Sequence, residues 1–213
     1  MNCCPHCQGA DRFFNQRVAA ADLRHYRQHG ATGTTRQLLD ALTSAGVAGL
    51  SLLDIGGGIG VIQHELRAAG VTEITNVDAS RAYLKMARGE AERRGYAADA
   101  RYVYGDFVAL ADEIAAADIV TLDRVVCCYP DMAALVHHAA AKAGRFLGLV
   151  YPRDSWWTKA GVAMLNLLPR LRGDAFRSFV HPTAAVEGVA AANGLRRIVH
   201  HQGPVWQVVV FAR

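Results

Sequence analysis

An acidic residue at the end of an apolar run leads into closely spaced glycines in Leu52-Leu53-Asp54-Ile55-Gly56-Gly57-Gly58-Ile59-Gly60, and an amphipathic stretch opens at Val61. Glycine tolerates positive φ and lets main chain approach a ligand with no Cβ in the way. Between a buried strand and a helix, such a turn delivers a ligand to the open end of a sheet, where α/β proteins bind small molecules. A dinucleotide site calls for G-x-G-x-x-G. Counted from Gly56 and Gly58, its third position is Val61, whereas Gly56, Gly58 and Gly60 give G-x-G-x-G. Asp78, with Ala79 beside it, ends the next apolar run, where a carboxylate can accept both hydroxyls of a ribose. The same residue type there also serves as an N-cap for the following helix.

Further along, Tyr104-Gly105-Asp106-Phe107 repeats the arrangement of an acidic residue after a strand, again open to an N-cap reading. The stretch Asp123-Arg124-Val125-Val126-Cys127-Cys128-Tyr129-Pro130 follows another apolar run. Tyr129, just before Pro130, is open to a role in proton transfer or to one in loop packing. His137 and His138 are taken as surface or packed residues. Cys3, Cys4 and Cys7, with His6, offer one Cys-x-x-Cys pair, and Cys127-Cys128 lie in the loop that begins at Asp123. A structural zinc site usually takes four ligands from two such pairs, so thiols on a loose terminus and a packed loop are expected. A soft metal or thiophilic site uniting Cys3, Cys4, Cys7, Cys127 and Cys128 is the alternative.

These residues need a sheet to hold them. Short apolar runs alternate with amphipathic stretches from residue 50 onward, as in successive βα units. Strands are expected at Leu50–Ile55, Glu73–Val77, Arg101–Tyr104, Asp118–Leu122, Arg145–Val150, Leu195–His200 and Val205–Phe211. Only Gln202-Gly203-Pro204 separates the last two, so they form an antiparallel hairpin, since a parallel return needs a crossover of about a dozen residues. The fold class is therefore α/β: a Rossmann-like, mostly parallel seven-stranded sheet with a C-terminal antiparallel hairpin, helices on both faces and an N-terminal helical extension. Helices are expected over Asp11–His29 and Thr34–Ala45, broken by Gly30–Gly33. The first carries Phe13, Leu23 and Tyr26 and suits a helix laid across the ligand edge, or a packed extension. The division is 1–46 for the cysteine-containing helical segment and 47–213 for the sheet domain.

Composition agrees with one globular unit: 213 residues, 52% hydrophobic, 20% charged and a net charge of +4. The arginines are scattered, which disfavours a nucleic-acid partner, because phosphate binding needs clustered cations. No stretch approaches the ~20 apolar residues of a membrane span and no secretory leader is evident, so a cytoplasmic protein without integral membrane association is expected. Its oligomeric state is left open.

In its acidic-residue-plus-G-x-G-x-G motif, its order of strands and its terminal hairpin, the chain resembles the class I S-adenosyl-L-methionine (SAM)-dependent methyltransferases from about Leu50 to Arg213. The resemblance implies SAM rather than NAD as the cofactor. It places Gly56, Gly58 and Gly60, with Gly57 between them, beneath the methionine moiety, and Asp54 as their partner on the strand. It further implies Asp78 on the ribose and Asp106 on the adenine amino group, with Phe107 as the neighbouring aromatic, and it sets the loop from Asp123 onward beside the sulfonium and the acceptor, which makes Asp123, Arg124 and Tyr129 the candidates for touching the substrate. Between 152 and 181, Trp156, Trp157, Met164 and Leu165 interrupt the βα alternation; in similar small-molecule enzymes, of the magnesium-protoporphyrin and ubiquinone O-methyltransferase type, an insertion here forms a lid over the acceptor. A core helix or a membrane-surface helix are the other readings of this segment. The implied activity is methyl transfer to a small, apolar or aromatic acceptor. A SAM-binding module without catalysis and an NAD-dependent oxidoreductase are the alternatives.

Overall fold

The computed structural model describes residues 5–167 and 176–213. A seven-stranded sheet has the order β3-β2-β1-β4-β5-β7-β6, built from β1 (Ser51–Ile55), β2 (Glu73–Asp78), β3 (Ala100–Tyr104), β4 (Ala117–Asp123), β5 (Ala143–Pro152), β6 (Arg196–Gln202) and β7 (Trp206–Ala212). The first five strands pair in parallel, while β7 runs antiparallel to both β5 and β6. Every expected strand is present, within two residues at each end. Their apolar runs demand it, since a strand buried on both faces has no polar alternation to mislead a reading.

From β1 the chain winds outward through β2 to β3, then crosses to β4 on the other side of β1. That reversal opens a crevice beyond the C-terminal ends of β1 and β4, where Asp54 and Asp123 stand. Alternate residues of each strand feed two apolar layers. Leu53, Val120 and Leu147 pack with Leu135 and Val136 on one face. Leu52, Ile119 and Val150 pack with Leu38, Leu42 and Leu66 on the other.

Helices α1 (Pro5–Phe13), α2 (Gln16–His29) and α3 (Gly33–Ser44) precede the sheet. The single helix expected over Asp11–His29 is two, because Asn15 leaves helical geometry and caps α2, its side chain accepting from the N–H groups of Arg17 and Val18. Between the strands lie α4 (Val61–Ala68), α5 (Arg81–Arg93), α6 (Phe107–Leu110), α7 (Met132–Lys142), α8 (Trp156–Leu165) and α9 (Thr183–Ala192).

Helix α8 lies in the segment read as a lid. Its apolar side chains face solvent: Trp156 is 77% exposed, Met164 74% and Leu165 71%. It is thus not a core helix, and residues 168–175 of the expected lid lie outside the described residues. Among the described residues no helix is long and apolar enough to cross a membrane.

Candidate functional site

The glycine turn after β1 is held by its surroundings. Gly56 and Gly58 have φ of +63° and +56°, a region costly for residues bearing a Cβ. A Cβ on Gly57 would stand 2.6 Å from Asp54 Oδ2 and 2.7 Å from Asn76 Nδ2, so bare main chain is required there on grounds of space. The turn forms one wall of a cavity of about 610 Å³ at the carboxyl ends of β1, β2 and β4, within the usual size of small-molecule sites.

Carboxyl groups dominate that cavity. Asp54 is buried; its Oδ1 accepts from the Thr121 hydroxyl at 2.7 Å, while its Oδ2 has no hydrogen-bond partner. Burial, with the charges of Asp123 and Asp78 behind it, pushes its pKa up to about 7, against the hydroxyl's opposing effect. Asp78 accepts from the Gly58 N–H at 2.9 Å and the Ser80 N–H at 2.7 Å, yet burial still lifts it to about 6. Asp123 Oδ2 accepts from the Thr35 hydroxyl at 2.5 Å, its Oδ1 is buried without a hydrogen bond, and burial raises this carboxyl as well.

Asp106 caps α6 through the Val108 N–H and also accepts the Tyr129 hydroxyl at 3.1 and 3.2 Å. The N-cap reading of Asp106 is therefore correct as far as it goes, and the residue still lines the cavity, with Phe107 beside it. Tyr129 is tied to Asp106, and a proton-transfer role would require it to leave that bond. Arg124 is the one described non-glycine residue with positive φ, at 61°. Its guanidinium lies over the Trp206 ring, 5.5 Å from the centroid, and reaches the Thr34 hydroxyl at 3.3 Å. Left-handed geometry at such a residue is strained backbone kept in place by its surroundings.

The N-terminal helices close over this cavity. Cys7 and Ala10 of α1, then Phe13 and Phe14, line it from above together with Phe176, and the Phe13 and Phe176 rings stack at 5.2 Å. The Ser80 hydroxyl donates to the Phe14 carbonyl and the Arg81 N–H to Asp11, which fixes α1 to the end of β2. Several lining residues escape a reading of the sequence, among them Phe14, Asp22, Thr35, Tyr83 and Phe176. The Tyr83 hydroxyl donates to Asp22 at 2.6 Å. No spacing signal marks residues that meet only through the packing of α2 on α5.

The other expected residues fall in three groups. Ala79 lines the cavity, and Tyr26 borders it with its hydroxyl on Glu65 at 2.7 Å. Trp156 and Trp157 do not line it; Trp157 instead donates its indole N–H to the Pro204 carbonyl, so neither side chain reaches the place where a cavity-bound substrate would lie. Cys7, Cys127 and Cys128 line it, whereas Cys3 and Cys4 lie outside the described residues. Among the described residues no three His, Cys, Asp or Glu side chains are grouped as a metal site. His137 is hydrogen-bonded to Asn193 on the outer side of α7.

Comparison with known proteins places this cavity in context. Residues 52–143 match the family described as a methyltransferase domain. The ubiquinone biosynthesis O-methyltransferase of Paramagnetospirillum magneticum is 32% identical over 142 residues, which is 63% of this chain and 55% of that protein. Its counterpart in Pseudomonas aeruginosa is 31% identical over 147 residues, 65% of this chain and 62% of that protein. The chain thus spans between 55% and 62% of the length of these curated relatives. Among solved structures, magnesium protoporphyrin IX methyltransferase from Synechocystis with bound SAH superposes with a TM-score of 0.69 at 19% identity, covering 96% of this chain and 98% of that one. An O-methyltransferase family 2 protein from Planctomyces limnophilus, in complex with apigenin, gives 0.67 at 17% identity, covering 93% and 61%. These likenesses establish the Rossmann-like fold.

Proposed function

We infer that this chain is a class I SAM-dependent methyltransferase acting on a small molecule, and that its cavity holds the sulfonium nucleoside and the acceptor together. One observation carries the reading: among the described residues, the cavity is lined by five aspartates, Asp22, Asp54, Asp78, Asp106 and Asp123, against one arginine, Arg124. Three of these carboxyls are raised by burial, so each is short of the positive charge or donors that would suit its ionised form. A ligand with a sulfonium and an ammonium supplies both. A dinucleotide brings a diphosphate, and like charges about 5 Å apart at an effective dielectric near 20 repel by about 3 kcal/mol per pair. Charge therefore supports SAM over NAD independently of glycine spacing.

The residues divide the work. Main chain at Gly56, Gly57, Gly58 and Gly60 lies under the methionine moiety, and Asp54 supports that turn from below. Asp78, already positioned by the Gly58 and Ser80 N–H groups, has lone pairs left for the ribose hydroxyls, with Ala79 alongside. Asp106 accepts from the adenine amino group while Phe107 covers the ring. Asp123 stands nearer the sulfonium. SAM, when bound, supplies an already activated methyl group, so alignment and exclusion of water account for much of the acceleration. The aromatic cover of Phe13, Phe14 and Phe176 excludes water and favours an apolar or aromatic acceptor, which Arg124 and Tyr129 would orient.

Calorimetry with SAM, S-adenosylhomocysteine and NADH tests the cofactor. SAM binding without NADH binding is expected, and the reverse would overturn the reading. Formation of S-adenosylhomocysteine on adding fractionated small-molecule extract tests catalysis; binding without stimulated turnover in any fraction would leave a non-catalytic SAM-binding module as the better description.

A further inference from the structure

The cavity holds a feature that methyl transfer does not call for. Cys127 and Cys128 sit on one turn, residues 126–128, after β4 and line the cavity wall, with Cys7 of α1 on the same cavity. The turn brings two consecutive side chains to one side. Their sulfurs are 3.7 Å apart, and both thiols also reach the Arg124 carbonyl, at 3.3 and 3.5 Å.

Two thiolates bound to a single centre at about 2.3 Å stand about 3.3 Å apart at right angles and about 3.8 Å apart at the tetrahedral angle, so this pair lies within the span of a chelate and needs to close by only a few tenths of an ångström on a pyramidal centre. The chemistry of the thiols agrees. The contact between the two sulfurs holds the Cys128 thiol below its usual range and Cys127, also buried, above it, so Cys128 is the thiol that gives up its proton first.

We propose that Cys127 and Cys128 form a binding site for a thiophilic trivalent metalloid, with arsenic(III) as the representative centre. Thiolates select soft centres. Zinc asks for four ligands, whereas a trivalent metalloid is satisfied by two thiolates and keeps a third substituent of its own. With an organoarsenic(III) oxide the step balances without redox change: two S–H bonds and the arsenic–oxygen bonds break, two As–S bonds form, and the two protons leave with the oxygen as water. Arsenic stays trivalent throughout. The claim concerns binding and stands apart from the assignment of methyl transfer.

Phenylarsine oxide is the probe. The Cys3→Ser/Cys4→Ser/Cys7→Ser variant of the full chain should still bind one equivalent by intact mass, hold it against excess 2-mercaptoethanol and release it to 2,3-dimercaptopropanol. Adding Cys127→Ser or Cys128→Ser should weaken binding about a hundredfold or more, the loss expected when a chelate becomes a single attachment. Peptide mapping of the unsubstituted chain provides a readout free of folding effects, with the arsenical bridging the peptide that contains Cys127 and Cys128. Failure of the triple variant to bind while it remains folded by circular dichroism, or an arsenical mapped only to the N-terminal cysteines, would overturn the proposal. Calorimetry with S-adenosylhomocysteine on the same samples reports separately on the cofactor site.

Discussion

Asp54→Asn isolates the charge argument, because it changes ionisation while nearly preserving shape. Asp54 is buried, has one oxygen on Thr121 and one without a partner, and its pKa rises from an ordinary 3.8 to about 7. Each decade of displaced ionisation is worth about 1.4 kcal/mol, so keeping this group ionised at pH 8 costs the empty protein about 4 kcal/mol. The amide removes that cost but leaves an N–H group in place of Oδ2 without an acceptor, a loss of about 1–3 kcal/mol. The net expectation at pH 8 is a gain of about 1–3 kcal/mol, which raises Tm by about 2–4 °C per kcal/mol. The sign with pH follows from linkage. The folded protein holds the Asp54 proton to a higher pH than the unfolded chain, so between pH 4 and 7 it binds more protons, and wild-type stability falls as pH rises through that window. The advantage of the variant should accordingly shrink by about 3 kcal/mol between pH 8 and pH 5. Urea unfolding at the two pH values measures it. A difference between wild type and variant that stays constant with pH would refute the claim that Asp54 is a carboxylate held against its preference. In calorimetry at pH 8 the variant should lose SAM affinity about tenfold more than S-adenosylhomocysteine affinity, since only SAM carries the sulfonium charge.

Other substitutions probe the remaining contacts. Asp78→Ala should weaken S-adenosylhomocysteine binding by about 1–3 kcal/mol and also lower stability in urea, because the Gly58 and Ser80 N–H groups lose their acceptor. Gly57→Ala should be worse for folding than Gly58→Ala by thermal melting, since the first places a methyl 2.6 Å from Asp54 Oδ2 whereas the second meets nothing nearer than Tyr83 at 3.9 Å and bears chiefly the left-handed cost of about 1–2 kcal/mol. Tyr129→Phe should raise the KM for SAM and leave kcat unchanged if the hydroxyl only positions Asp106; a fall in kcat at saturating SAM would make Tyr129 a group that touches the reacting atoms. Trp156→Ala should change stability by no more than about 0.5 kcal/mol, given its exposure, and should leave cofactor affinity untouched by calorimetry.

Legibility in the sequence divides along the difference between periodic and tertiary information. The strands can be read because Ile119-Val120-Thr121-Leu122 and its counterparts are apolar on both faces, and Gln202-Gly203-Pro204 is too short for anything but a reversal. Residues at strand ends, Asp54, Asp78, Asp106 and Asp123, are legible for the same reason: once the strands are known, the crevice lies at their carboxyl ends. The break at Asn15 is missed because an Asn inside an amphipathic stretch carries no warning until its side chain is seen capping the next turn. Asp22, Thr35 and Tyr83 are missed because their place on the cavity depends on how α2 and α3 lie across the sheet, and no local pattern encodes that. The tryptophans show the converse. Trp156 and Trp157 are legible as unusual but not as outward-facing, since composition marks a surface without giving its direction.

The same distinction explains why so acidic a cavity persists in a protein of net charge +4. Carboxyls whose pKa values are displaced upward by burial weaken the empty fold, and an apolar or amide residue at Asp54 would relieve the strain. Such groups survive where a ligand repays the cost, and perturbed ionisation gathered in one cleft is a physical mark of a site rather than of a core. Here the mark carries a sign. Buried carboxylates on the ends of β1, β2 and β4 ask for a cation, the glycines between them ask for a ligand that needs bare main chain, and a sulfonium nucleoside meets both demands. The thiol pair on the adjoining turn sits outside that logic, because neither a cation nor a ribose calls for two sulfurs at chelating distance, and it therefore points to a second chemistry in the same cavity.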